Sequence, residues 1–251
     1  MDNERFLSCL AADKHRLAAV AAGDLTAPVP SCPKWTVTDL VEHVAMVYLH
    51  KTEVMRRNAF PQPWPPEMPD EPPLVRLDRA YAALVDEFAA RDAGATVPTW
   101  YDPEQTVGFW IRRMAQETVI HRVDAELALK EPINVVPDDL ALDGVDEVLE
   151  RFLAFGSRAW REDFEEHLAE CDGRAVVIAT RDPGWLVRLT PDGVDLMAAA
   201  GGEREAAAEV AGDPQSVLLW LWRRAGDETV QIGGDRALVV KLRELLGDAT
   251  Q

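Results

Sequence analysis

Cysteine, histidine and positive charge are all scarce in this chain of 251 residues. Its three cysteines, Cys9, Cys32 and Cys171, are far apart and form no CxxC pair. That excludes a disulfide framework and a zinc site built from cysteine, and it fits a reducing cytosol. Lys and Arg together number 26 against 44 Asp and Glu, a formal net charge of -18. Such a chain lacks the basic footprint of a nucleic-acid binder and the polybasic patch that docks on anionic lipid. No apolar run approaches the roughly 18 residues needed to cross a bilayer. The first ten residues, MDNERFLSCL, are acidic and lack the basic-then-apolar layout of a signal peptide. A cytoplasmic protein is expected, and an acidic surface gives no reason for assembly, so a monomer is expected too.

What remains is a chain that is 47% apolar and changes character near its middle. Residues 4–22 carry Phe6, Leu7, Leu10, Leu17 and Val20 at helical spacing. A second helix is expected over 36–58, with Thr36 as N-cap and Asp39 completing a capping box. The proline-rich stretch FPQPWPPEMPDEPP then reads as an extended crossover. A third helix fits 74–91, and a fourth fits 102–130 with Asp102 as N-cap and Pro103 at its first position. Four amphipathic helices with one long crossover predict a four-helix bundle.

Beyond Pro137 helices are expected at 140–156 and 158–169. The runs RAVVIAT, WLVRLT and VDLM follow, separated by Asp182-Pro183-Gly184 and Pro191-Asp192-Gly193. They read as an antiparallel meander. An alanine-rich strand over 204–210, a helix from Asp213-Pro214 to Arg224, a strand TVQI and a helix over 235–246 complete a small α+β domain. The division expected is 1–135 for the bundle and 136–251 for the second domain.

Five histidines, at 15, 43, 50, 121 and 167, can be weighed singly. His15 and His167 read as solvated helix positions. His43 lies beside the apolar stripe of the second helix, three residues after Leu40. On the fourth helix Glu117 and His121 are four apart and share a face. Two histidines and a carboxylate form the donor set of catalytic zinc, which leaves a position for water or substrate; ferrous iron and nickel accept the same set. A Glu–His hydrogen bond, or a surface pair, is the alternative that spacing leaves open. His50 is seven residues from His43, about 10 Å along the axis, and reads as a supporting or surface residue.

CPKWTVTDLVEHVA (Cys32–Ala45), ETVIHRVDAELALK (Glu117–Lys130) and VAGDPQSVLLWLWRRAGDETVQIGGDRALVVKL (Val210–Leu242) together resemble the mycothiol-dependent maleylpyruvate isomerase family. The resemblance runs over nearly the whole chain in the family's order. It implies a DinB-like metal-binding four-helix bundle followed by an α+β domain similar to sterol carrier proteins. It implies His43, Glu117 and His121 as zinc ligands. It implies Arg224 as the basic residue on the substrate side, although Arg223 stands where the family usually has glycine. Arg122 and Asp124 are expected to support the helix or orient ligands. Cys32 is expected to pack structurally, and Trp64 with its proline-rich loop to cover the helices or line the bundle mouth.

The function implied is a zinc-dependent enzyme that uses mycothiol on a small electrophile. A cation stabilises thiolate, and thiolate is the nucleophile, so no protein cysteine is required. An arginine can hold a substrate carboxylate in bidentate geometry, with the substrate expected between the domains. A metal- or ligand-binding protein without turnover and a zinc hydrolase are the alternatives.

Overall fold

A computed structural model describes residues 1–180, 184–199 and 206–250. The chain divides into two compact units, Met1–Asn134 and Val135–Gln251. Among the described residues no helix is long and apolar enough to cross a membrane.

The first unit is built from α1 (Asn3–Ala21), α2 (Val37–Arg57), α3 (Pro73–Ala89) and α4 (Val107–Leu129). The capping box opens α2 as expected: Thr36 Oγ1 accepts from the Asp39 backbone, and the Asp39 carboxylate accepts from the Thr36 N–H at 2.7 Å. Asn58, at φ 49°, ends that helix in the left-handed region. The start of α4 differs from expectation. Thr106, not Asp102, is the cap, accepting from Phe109 N at 3.1 Å. Residues 99–105 are held instead by the Gln105 amide, which donates to Thr99 Oγ1 at 2.7 Å and the Tyr101 carbonyl at 2.9 Å. A loop locked by its own side chain outweighs the local preference of Asp-Pro for a helix start.

Helix α1 packs on α4, and α2 packs on α3 and α4. Tyr48 meets Thr118 and Lys51 meets Trp110, so α2 and α4 run in opposite directions. Helix α4 is buried almost all round, polar side chains included. Arg122 is 1% exposed; its Nε donates to Asp13 at 3.0 Å, and its Nη1 donates to Glu126 at 2.7 Å and to the Asn134 carbonyl at 2.8 Å. Glu126 also accepts from Arg16 at 2.8 Å. The supporting role expected of Arg122 is thus a buried ionic network tying α1, α4 and the end of the unit together.

The second unit opens on one long helical stretch. It runs as α5 (Asp138–Glu147), a π-helical segment (Val148–Phe155) and α6 (Gly156–Ala159). Trp160, at φ -127°, breaks it before α7 (Arg161–Leu168), so the expected boundary near 156–158 falls a turn later. Strands β1 (Ala175–Ala179), β2 (Gly184–Thr190) and β3 (Gly193–Ala198) form the expected antiparallel meander. The turn residues Asp182 and Pro183 lie outside the described residues, as do 204 and 205 of the alanine-rich run. The described part of that run gives β4 (Ala208–Ala211), which pairs parallel to β1, so the full sheet is mixed, in the order β3-β2-β1-β4-β5. Hairpin pairing occupies one edge of β1, and the returning chain fills the other. Helix α8 (Pro214–Leu221), β5 (Gln231–Gly234) and α9 (Arg236–Ala249) close the unit, with α9 lying on β1 and β4.

Arg223 ends α8 at φ 62°. Its N–H donates to Trp220 O at 3.0 Å and the Arg224 N–H to Leu219 O at 2.8 Å, the pair of bonds that defines a Schellman cap. Glycine takes this conformation without strain, which explains why a glycine suits the position that Arg223 holds. The Arg223 guanidinium lies where a side chain on Gly247 would sit.

Removing the α2 cap checks the local account. Thr36→Ala should lower stability by about 1 kcal/mol in urea unfolding without altering the m-value.

Candidate metal centre

Helices α2 and α4 bring His43, Glu117 and His121 together. One ligand atom from each lies within 4.8 Å of the others. Both imidazoles aim at a single carboxylate oxygen: His43 Nε2 is 3.1 Å and His121 Nε2 3.2 Å from Glu117 Oε1. The two rings meet edge to face with centroids 4.9 Å apart. His121 is 10% exposed and Glu117 14%, whereas His43 is 36% exposed and opens the cluster to solvent.

Each member is held from behind. The Asp124 carboxylate sits 2.9 Å from His121 Nδ1, which directs the Nδ1 proton toward Asp124 and turns Nε2 toward the cluster. Asp124 is fully buried and also accepts from the Ser31 hydroxyl. Arg113, one turn before Glu117, pairs with its other oxygen. The Trp35 ring lies 4.8 Å from the His43 ring and 6.3 Å from the His121 ring, forming a wall from the loop before α2.

These contacts set the charges. Burial works to raise the Glu117 carboxyl, but Arg113, His121 and His43 outweigh it and hold the group well below the usual carboxylate range. Burial works to depress His121, but Glu117 and Asp124 overcome it and push its pKa up to about 9. In the metal-free protein the cluster is therefore an anionic carboxylate bracketed by cations.

Asp124, expected to support the helix or orient ligands, is hydrogen-bonded to His121. Arg113 lies four residues before Glu117, a helical spacing that the sequence carries. Ser31 and Trp35 come from an irregular loop with no periodic signal. His50 is not part of the cluster: its ring packs edge-on against Trp64 at 4.8 Å, and the proline-rich loop covers α2 there. His15 is exposed, and His167 pairs with Asp248 at 2.7 Å. Arg224 lies in the second unit, donating to Trp222 O at 2.8 Å with its guanidinium 5.9 Å from the Trp222 ring centre.

Residues 9–126 match the model of the mycothiol maleylpyruvate isomerase N-terminal domain, and residues 139–241 match that of the family's C-terminal domain. The chain belongs to this family. It resembles the crystal structure of the mycothiol-dependent maleylpyruvate isomerase with a TM-score of 0.62 at 12% identity, over 94% of this chain and 95% of that one. A histidine-to-alanine mutant of that isomerase matches with a TM-score of 0.58 at 11% identity and the same coverage. At such identities the likeness shows the shared fold. No curated protein matches the sequence. Membership of the family supports a mycothiol-dependent, isomerase- or transferase-like role, and the His–His–Glu cluster is consistent with a divalent-metal site.

The donor set fits such an ion: two imidazole nitrogens and a carboxylate oxygen converge, and the second nitrogen of His121 is already engaged elsewhere. Without metal, the raised pKa of His121 should appear in stability. Its contribution is complete below about pH 6.5 and is lost as pH rises through about 9. In chelator-treated protein, wild type should lose melting temperature from pH 6.5 upward relative to His121→Gln. A constant difference between the two across pH 6–9 would contradict the charged His121.

Proposed function

We propose that the protein is a zinc-dependent enzyme using the low-molecular-weight thiol mycothiol for sulfur transfer to, or isomerisation of, a small electrophile that bears a carboxylate. The observation carrying this reading is the convergence of His43 Nε2 and His121 Nε2 on one oxygen of Glu117, in a chain of this family. When bound, a divalent ion would supply positive charge that favours the deprotonated form of a thiol. His43, Glu117 and His121 would hold it. Asp124 keeps His121 Nε2 directed into the site, and Arg113 keeps Glu117 ionised and oriented. Trp35 shields the two imidazoles on one side. The cluster contains no cysteine, so the sulfur nucleophile comes with the co-substrate. Arg224 is proposed to grip the substrate carboxylate.

Elemental analysis and thiol-consumption assays test this. His43→Ala and His121→Ala should each lose zinc and activity together; full zinc content in both would remove the triad. Asp124→Asn should weaken zinc binding by about 10–100-fold. Mycothiol should disappear only when both metal and an electrophile are present. Turnover without added thiol would mark a hydrolase, and ligand retention with no thiol loss a binding protein. Arg224→Ala should leave zinc content unchanged and raise KM for acidic substrates; an unaltered substrate profile would remove its role.

A further inference from the structure

Lys51 differs from the other cations inside the bundle. Lys14 pairs with Asp78, Arg113 with Glu117, and Arg122 with Asp13 and Glu126. Among the described residues no carboxylate forms an ion pair with Lys51. Its ammonium donates to His50 Nδ1 at 3.1 Å and stands 4.7 Å from the centre of the Trp110 ring, which is fully buried beneath it. Acceptance of that bond requires the imidazole lone pair, so His50 is neutral; burial, and then Lys51 itself, lower its pKa to about 4. A partly buried ammonium thus spends one of its three donors on a neutral ring and rests on an indole face.

The position matters. Lys51 follows His43 by eight residues on α2, about 12 Å along the axis. The charges of Glu117 and Arg113 reach it from α4. Burial, only partly offset by Glu117, lowers its pKa to about 8, which leaves it cationic at neutral pH. A largely buried cation with no carboxylate in contact is costly to maintain, and a ligand carboxylate would lower that cost.

We propose that Lys51 is a binding residue for the carboxylate of a small organic acid. The two free N–H groups of the ammonium match the two oxygens of one carboxylate, and His50 fixes the third direction. The proposal rests on the thiol-transfer reading for the identity of the acid as co-substrate, but not for its binding.

Calorimetric titration with maleate, fumarate and their neutral diamides tests this on zinc-loaded and on chelator-treated protein. Wild type should bind the diacids saturably and Lys51→Met at least tenfold more weakly in both metal states, with the diamides unaffected by the change. Equal diacid affinity in wild type and Lys51→Met, or no saturable binding to wild type, would overturn the proposal. Should Lys51→Met fail to fold, reductive methylation of wild type read by mass spectrometry replaces it. Maleate should slow labelling of Lys51 at least fivefold relative to the exposed Lys34, and absence of protection would overturn the idea. Zinc content measured on the same samples separates the two readings. Zinc-free wild type with Lys51-dependent diacid binding would remove the metal and leave this site, whereas zinc-loaded wild type with Lys51-independent binding would do the reverse.

Discussion

The ionised carboxylate of Glu117, enclosed between two helices, is the constraint around which the first unit is organised. A carboxylate taken out of water must be matched by cations and donors or it takes up a proton. Here one oxygen faces two imidazoles and the other an arginine. Each partner then makes its own demand. His121 directs its second nitrogen to Asp124, and Asp124, itself fully buried, draws in Ser31 from the loop that leads into α2. A single charge thereby fixes the relative register of α2, α4 and the loop carrying Trp35. The cluster is also self-consistent without metal, since protonated His121 occupies electrostatically the role that a divalent ion would take.

The same logic accounts for α4 as a whole. An interior helix is usually apolar all round, yet this one buries Arg113, Gln116, Thr118, His121, Arg122, Asp124 and Glu126. Polar burial of this density is tolerable only when the groups satisfy one another. Arg122 and Glu126 do so with Asp13 and Arg16 of α1 and with the backbone at Asn134. Breaking a pair of that kind costs about 3–5 kcal/mol, because the remaining charge is stranded. The two polar groups of α4 therefore have distinct effects. One holds α1 and the end of the unit in place, and the other holds the His43–Glu117–His121 cluster open toward solvent at His43.

Much of this was legible in the sequence because helices announce themselves by period. The spacing of Glu117 and His121, the Thr36–Asp39 box and the stripe beside His43 all survive in the structure. Where the reading erred, long-range or side-chain-specific contacts had overruled local preference. Asp102-Pro103 makes a sound helix start until the Gln105 amide claims the loop. Parallel pairing of β4 with β1 depends on what has already paired with β1, which no short window records. Ser31 and Trp35 carry no periodic signal at all. Lys51 is a different case: one lysine on a helix surface is unremarkable in sequence, and only the missing counter-charge distinguishes it.

The net charge of -18 bears on how an acid could bind such a protein. At physiological ionic strength the Debye length is about 8 Å, so most of that charge is screened from an approaching ligand. The local balance at the cluster is different, with Arg113 and His121 set against Glu117. Arg113 is committed to Glu117, whereas the ammonium of Lys51 contacts no carboxylate among the described residues. A weakly repelled encounter followed by a desolvated ion pair selects through residence time rather than through steering. Acidity of the surface and preference for an acidic ligand are therefore compatible, provided that the deciding charge is held where water screens it least.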